Sequence, residues 1–476
     1  MSTQAKFYQE HSIKVILPTP YQATTNLCYL NPVQIWPLNN RDARLFIDRL
    51  YQILNTLAHE RPETSGTIRI SHVQHQKHNV ALVINPNDCI TMDVQYAENE
   101  MHTFAQLKAA RFPPSAFVGS RFKFDCAKTD DNYEVPAMRV LAVIINGGLI
   151  LSWHFHHSLF DAEGMRVVFS IVGSIAAGNE PFYRSHHPKS LAMDFAARPG
   201  AAENTIFSEY NHPGTAKASC VGDPLHRVPL GSAIFQFRKD DLQQLQELLR
   251  KAAGGGDNSY PQAWMTLAVL TWVHISKARN RAEQKKLPHA TPEAAAQLAM
   301  PINWKKRAPF GGQSRDYFGN ANLTTTTAYP AGVKLDDDPA TLLKLVNAVQ
   351  HTLSQVDEAA VSAQYQLFAS QVDRQAIKTA LDRSNRNLLL FDSTWRIHGG
   401  ADMALGAGLV PGLLGDGRPA AVRQAAAGCT VGGRALLLPG RIDSPVYELM
   451  VMLPTASLMT LCRDGNWMRW VDRVLW

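Results

Sequence analysis

The sequence predicts an α/β protein of two domains, each mixing sheet and helices, joined by a long crossover. Three observations carry that prediction. Short β-branched and aromatic runs alternate with turn residues through the first third of the chain, and apolar residues recur at helical spacing in both halves. The stretch from about Ala196 to Leu230 loses periodicity and gathers Pro, Gly, Asn and Ser, as an exposed connection does. A chain of 476 residues has room for two or three domains with a large buried core. The boundaries are placed at 1–195, 196–231 and 232–476.

Taken in order, Ile13 to Leu17, Thr67 to Val73, Val80 to Ile84, Arg139 to Ile145 and Leu149 to Phe155 read as strands. Between the first two, Asn40 to Leu57 places Leu45, Ile47, Leu50, Ile53, Leu54 and Leu57 near helical spacing, so one amphipathic helix is expected on the sheet. Past the crossover, Ser232 to Arg238 reads as a strand. Asp240 to Ala253 reads as a capped helix with Leu242, Leu245, Leu248 and Leu249 on one stripe, stopped by Gly254, Gly255 and Gly256. Pro261 to Arg279 is apolar around its circumference and is expected at the centre of the second half. A further helix follows near Ala340 to Ala360, then strands at Arg434 to Leu438 and Val446 to Leu453.

Composition narrows the function. The chain is 45% hydrophobic and 18% charged, an ordinary globular balance. Its 47 Lys plus Arg against 41 Asp plus Glu leave a net charge of +6, a mild excess that suits small anionic ligands and argues against nucleic acid. Six cysteines, Cys28, Cys89, Cys126, Cys220, Cys429 and Cys462, form no CxxC pair, which removes zinc ribbons and thioredoxin-like motifs and suggests buried reduced thiols. Met1 to Ser12 lacks the apolar stretch of a secretion signal. The longest uncharged apolar run, Val140 to Trp153, is too short to span a bilayer, so a cytoplasmic protein without membrane insertion is expected. No Walker A or GxSxG sequence occurs, and Gly406, Gly408 and Gly412 lack the strand-then-helix context of a dinucleotide loop. His72, His75 and His78, at spacing three, read as a solvated edge and turn.

The segment Arg139 to Ala177 carries the chemistry. Asn146-Gly147-Gly148 separates two apolar runs and reads as a hairpin turn using the permissive φ of Asn and Gly. The second strand ends in His154, His156 and His157, and Asp161-Ala162-Glu163 then opens a helix with Asp161 as N-cap. A histidine at such a bend can project into a cleft while rigid elements hold its ring, and a neutral imidazole takes a proton near pH 7. Ordinary histidines near a sheet edge are the plainer reading, and three of them in four positions before Asp161 weigh against it. A metal reading, with His154 and His156 sharing one strand face, lacks a further ligand pattern.

With His156-His157-Ser158-Leu159-Phe160-Asp161-Ala162-Glu163-Gly164 in view, the sequence resembles the BAHD acyltransferases and the related condensation-domain superfamily, marked by HxxxD or HHxxxDG. Its trichothecene 3-O-acetyltransferase-like branch looks most similar. Two companions stand in the family's order. Pro301 to Ala321 is similar to the segment running from a basic stretch to a YFGN block, here Tyr317-Phe318-Gly319-Asn320. Phe391 to Gly406 is similar to the segment joining a hydroxyl-x-Trp triplet, Ser393-Thr394-Trp395, to DFGWG, here Asp402-Met403-Ala404-Leu405-Gly406.

The resemblance implies two similar domains of chloramphenicol acetyltransferase-like fold with a channel between them, acyl-CoA as co-substrate, no bound cofactor or metal, and a monomer without nucleic-acid partners. It implies that His157 removes the proton of a hydroxyl, or less readily an amine, on a hydrophobic small molecule as it attacks the thioester. Trp395 and Ser393 match the positions that donate to the oxyanion. Asp161 would be structural and paired with a basic residue, Arg307 or else Lys305; His156, Asn320, Arg307 and Lys305 would serve binding; and Gly164, Tyr317, Gly319, Asp402 and Gly406 would shape the motifs. The change of DFGWG to DMALG, and Ala162 where the family has glycine, depart from the pattern. Two other readings stay open: the same fold turned to cyclisation or carrier-linked condensation without CoA, and a non-catalytic binding protein.

Overall fold

The computed structural model describes residues 14–16, 28–73, 76–85, 87–117, 120–122, 124, 133–179, 229–254, 261–284, 296–307, 319–370, 388–394, 417–425, 433–441 and 443–476. The first half runs β1 (Lys14–Ile16), β2 (Tyr29–Leu30), β3 (Pro32–Pro37), α1 (Ala43–Glu60), β4 (Thr67–Val73), β5 (Gln76–Ile84), β6 (Thr91–Tyr96), α2 (Phe104–Ala109), β7 (Glu134–Pro136), β8 (Met138–Ile145), β9 (Gly148–His156) and α3 (Ala162–Ala176). The second half runs β10 (Leu230–Arg238), α4 (Lys239–Ala252), α5 (Ala263–Gln284), β11 (Gln297–Asn303), β12 (Asn322–Ala328), α6 (Pro339–Ser354), α7 (Glu358–Ser370), β13 (Leu388–Ser393), β14 (Ala421–Gln424), β15 (Arg434–Leu437), β16 (Val446–Pro454), α8 (Thr455–Leu461), α9 (Gly465–Met468) and β17 (Arg473–Leu475).

Among the described residues the strands form three sheets. A sheet in the order β14-β3-β9-β8-β6, with β2 added beside β9, carries the histidine strand; a seven-stranded sheet, β12-β11-β13-β15-β16-β10-β17, organises the second half; β1-β5-β4-β7 is peripheral. In the first sheet β8 and β9 are central and covered on both faces. Val140, Ala142, Leu151 and Trp153 meet α1 and α3 through Leu50, Leu54, Val168 and Ile171. Leu141, Val143 and Ile150 meet Leu107, Phe117 and Phe122 on the other side. Burial on both faces explains why the two strands read as unbroken apolar runs rather than as an alternation. All nine residues of β9 are buried, so the strand that delivers the histidines is rigidly held. The hairpin joining β8 to β9 pairs Ile145 with Gly148. Of its two turn residues only Gly147 needs the left-handed region, at φ +74°, while Asn146 stays at negative φ and its carbonyl accepts from Phe104 N at 2.9 Å.

One strand crosses between the halves. Although β14 lies within 232–476, it pairs antiparallel with β3, Val422 opposite Gln34, and so extends the sheet of the first half. Residues 421–424 thus belong to the sheet that carries the histidine strand. Arg423, 3% exposed, fastens the crossing. Its guanidinium donates to Phe112 O at 2.7 Å, to Arg111 O at 3.1 Å and to both Glu448 oxygens at 2.7 and 3.2 Å.

Other expectations are corrected in detail. The helix expected near 340–360 is two helices, α6 and α7, separated at Gln355–Asp357, where Arg307 takes the Leu353 and Val356 carbonyls. Helix α4 has Arg238 rather than an acidic residue at its N-cap and no side-chain cap, because β10 runs straight into it. Its stripe keeps Leu242, Leu245 and Leu249 buried while Leu248 faces solvent. The described thiols are not buried: Cys89 is exposed and Cys28 and Cys462 are half-buried. Cys126, Cys220, Cys429 and most of the crossover lie outside the described residues. Among the described residues no helix is long and apolar enough to cross a membrane.

Candidate active site

The site begins where β9 ends. The main chain turns sharply: Leu159 N and Phe160 N both donate to His156 O, at 3.0 and 2.9 Å, and His157 N donates to Cys28 O at 2.8 Å. Asp161 then stands at the N-cap of α3 with extended φ of −112°, and Oδ1 accepts from Gly164 N at 2.7 Å. An oxygen there satisfies a helix N–H that has no partner within the helix. The second oxygen, Oδ2, accepts from Ala321 N at 2.9 Å. Asp161 is fully buried, and both its oxygens are used on main chain, one in each half.

His157 is the one histidine of the cluster that keeps access to solvent; His154 and His156 are buried. Its Nδ1 lies 2.9 Å from Phe160 O. A carbonyl only accepts, so Nδ1 carries the hydrogen and Nε2 carries the lone pair. Burial is the main influence on its pKa and lowers it below the ordinary 6.5, outweighing the Phe160 carbonyl and the carboxylates of Asp161 and Asp392, which raise it; Arg434 lowers it further. The imidazole is therefore neutral at pH 7, and among the described residues no hydrogen bond engages Nε2.

His156 takes the opposite role to the one expected. It is wholly buried, with Nδ1 2.6 Å from Ser158 Oγ and Nε2 2.6 Å from the Tyr133 hydroxyl. Burial pushes its pKa down to about 3. Both nitrogens are spent inside the protein, which leaves it no face for substrate or metal. His154 is likewise buried, with Nε2 3.2 Å from Phe122 O and its pKa lowered to about 4. Among the described residues no group of three or more His, Cys, Asp or Glu is placed to hold a metal ion.

The remaining expected residues fall into three sets. Asn320 is 1% exposed; its Nδ2 donates to His157 O at 2.7 Å while Oδ1 accepts from Asn322 N at 2.9 Å, so it clasps the bend. Gly319 precedes it, also buried. Arg307 is not the partner of Asp161, because its guanidinium is held by the carbonyls of Leu353 and Val356 at the end of α6. Lys305 is the basic residue near Asp161: it is 4% exposed, and the charges of Asp161 and Glu163 act on it against the desolvation that lowers its pKa. At that burial it presents little surface to a ligand. Ser393 is exposed at the end of β13, next to Thr394, which is tied to Leu437 O at 2.9 Å. Tyr317, Trp395, Asp402 and Gly406 lie outside the described residues.

Sequence reasoning missed three groups. Tyr133 completes the His156 network from 23 residues upstream. Asp392 and Arg434, an ion pair at 3.3 Å, act on His157 from adjacent strands. Asp392 stands immediately before Ser393, so an acidic residue just ahead of that triplet was the available signal.

Two mixed sheet-and-helix halves thus meet at the histidine bend. The transferase family matches residues 125–466, and the trichothecene 3-O-acetyltransferase-like N-terminal domain matches residues 25–174; the chain belongs to this family. It is 24% identical over 372 residues to acyltransferase cm3D of Cordyceps militaris, covering 69% of this chain and 72% of that one. It is 22% identical over 402 residues to eremophilane O-acetyltransferase prx11 of Penicillium rubens, covering 76% and 80%. The fold matches the crystal structure of F. sporotrichioides TRI101 complexed with coenzyme A and T-2, with a TM-score of 0.77 at 15% identity, covering 97% of this chain and 100% of that one.

Proposed function

We propose that this protein moves an acyl group from acyl-CoA to a hydroxyl of a hydrophobic specialised metabolite, with His157 as general base. The observation that carries the reading is the Nδ1 contact to Phe160 O, which fixes the tautomer and leaves Nε2 as the basic atom on the only solvent-accessible ring of the cluster. Nε2 takes the hydroxyl proton as the acceptor oxygen attacks the thioester carbonyl carbon. A C–O bond forms, the carbonyl π electrons move onto oxygen, and collapse of the tetrahedral intermediate breaks the C–S bond. The CoA sulfur leaves with the proton returned by the imidazolium.

The oxyanion needs donors, each typically worth about 3 to 4 kcal/mol. Ser393, at the exposed end of β13, and Trp395 are assigned that role, and Asp402 and Gly406 are assigned to the loop that follows. Asp161 acts at a distance, by capping α3 and tying it to Ala321. Acyl-CoA enters as a co-substrate through an interdomain channel, with no metal or prosthetic group required. The units of this reading are 1–195 and 232–476, with residues 421–424 lent to the first, in a cytoplasmic monomer.

Incubating the protein with acetyl-CoA and a set of terpenoid alcohols tests the reading. Release of free thiol together with a product heavier by one acetyl group supports it. A product isomeric with its substrate and formed without CoA would point to cyclisation, and binding without turnover to a non-catalytic protein.

A further inference from the structure

Two charged pairs lie on the face of the seven-stranded sheet that points away from its helices, and they are used to different extents. Side chains alternate along a strand. Leu389 and Phe391 of β13 and Ala435 and Leu437 of β15 belong to the helix-side core, so Asp392 and Arg434 occupy the other face. Leu436, Met450 and Met452 form the apolar ground of that face. Glu448, on the same face, is committed: it accepts from Arg423 and, at 2.9 Å, from Gln236. The pair Asp392–Arg434 is not. Among the described residues Arg434 makes one side-chain contact, from Nη2 to Asp392 Oδ2 at 3.3 Å; its Nε is buried without a partner, and the Asp392 and Arg434 side chains remain 22% and 23% exposed. A guanidinium offers five N–H donors and a carboxylate about four acceptor sites, so most of the hydrogen-bonding capacity of this pair is unspent.

Its place in the fold gives that capacity a use. Strands β11 and β13 run parallel with Ala299 opposite Leu390, which sets Asp392 and Ser393 level with the far end of β11. That end pairs Asn303 with Asn322, and the residues just before Asn322 are Asn320 and Ala321, which hold His157 O and Asp161. The pair therefore lies at the sheet end that meets the catalytic bend, close enough for both charges to act on the His157 ring.

Resting on the acyl-transfer reading above, we propose that Asp392 and Arg434 form an acceptor subsite that holds a second hydroxyl of a neutral diol while His157 deprotonates the first. A hydroxyl both donates and accepts, so one group can give its hydrogen to Asp392 and take one from Arg434. The pair is net neutral, so a carboxylate loses to Asp392 what it gains from Arg434, and an ammonium the reverse, which leaves neither favoured over a neutral hydroxyl. Leu436, Met450 and Met452 beneath the pair are buried and keep its floor apolar, so a bound hydroxyl meets no competing polar group from below. The substrate class is thus a neutral, apolar molecule with two oxygen functions near each other, rather than a monohydroxy hydrocarbon.

Menthol and p-menthane-3,8-diol share a skeleton and differ in one hydroxyl, and their binding to the intact protein can be titrated by saturation-transfer NMR without CoA or turnover. The diol is expected to bind at least about tenfold tighter, as a hydrogen-bonded group on charged partners does. In Arg434→Met and Asp392→Asn the preference should fall to about twofold or less, while His157→Ala should retain it. Asp392→Asn is nearly isosteric, so it decides the matter if the arginine variant does not fold. Equal binding of menthol and diol, or a preference that survives both substitutions, overturns the subsite. Loss of acyl transfer alone does not move this binding ratio, which separates failure of the subsite from failure of the catalytic reading.

Discussion

The side-chain amide of Asn320 donates to the main-chain carbonyl of His157 at 2.7 Å, across 163 residues of chain. With the bond from Ala321 N to Asp161 Oδ2 at 2.9 Å, it makes two adjacent residues of the second half hold the two ends of the HxxxD bend in the first. The ring of His157 is thus aimed by the joint between the halves, not by β9 alone.

Removing that clasp should misaim the base without abolishing it. Asn320→Ala is expected to lower kcat by about ten- to a hundredfold while leaving KM for acetyl-CoA within about twofold, since small misplacements of a catalytic group are costly in rate. Steady-state kinetics by thiol release give both values. A variant with unchanged kcat would show that the clasp does not position the imidazole.

The crossing of β14 depends on Arg423, which satisfies carbonyls at Arg111 and Phe112 in the left-handed region, at φ 59° and 53°, besides pairing with Glu448. Arg423→Met leaves the Glu448 carboxylate with its Gln236 bond but without its counter-charge, and takes the guanidinium from both carbonyls. Breaking a buried pair from one side typically costs about 3 to 5 kcal/mol. Urea unfolding should show a loss of that size, and a loss under about 1 kcal/mol would remove Arg423 from its place as the fastening between the sheets.

Acid should destabilise the protein below the ordinary histidine range. His154 and His156 have folded pKa values lowered to about 4 and about 3 from 6.5, so the unfolded chain binds more protons than the folded one between those limits. Stability is then level above about pH 6.5 and is lost as pH falls toward 3. Thermal melts across that range check the sign; stability rising with acid would contradict the neutral, buried state of both rings.

The same reasoning fixes the pH profile of turnover. The pKa of His157 lies below 6.5, and the base works only when neutral, so kcat/KM should be flat near pH 7 and fall on the acid side with a midpoint below 6.5. Asp392→Asn removes a charge that raises this pKa and should move the midpoint further toward acid. A midpoint displaced toward neutral pH in that variant would place Asp392 outside the field of the ring.

Much of the bend was legible in the sequence because its determinants are local. The apolar runs on either side of Asn146-Gly147 are the strands Met138–Ile145 and Gly148–His156, and an Asp directly before an apolar helix is the N-cap it appeared to be. What was hidden is long-range. Strand Pro32–Pro37 begins and ends in proline, and Gln297–Asn303 contains Pro301, so both violate strand composition and are stabilised by their neighbours. Ala421–Gln424 is four residues long and pairs with a strand nearly 400 positions away. The fates of Arg307 and His156 were equally invisible, since one is decided by the end of the helix Pro339–Ser354 and the other by Tyr133. Residue type announced basicity and titration; only the fold shows whether the group is spent on the interior.

The most direct measurement compares His157→Ala with the parent protein in acetyl-CoA turnover, using an alcohol that the parent acetylates. Turnover in the variant should fall by about a hundredfold or more, with the fold intact by circular dichroism and the binding of CoA retained. A folded His157→Ala protein that acetylates the alcohol at the parental rate would contradict the assignment of the base.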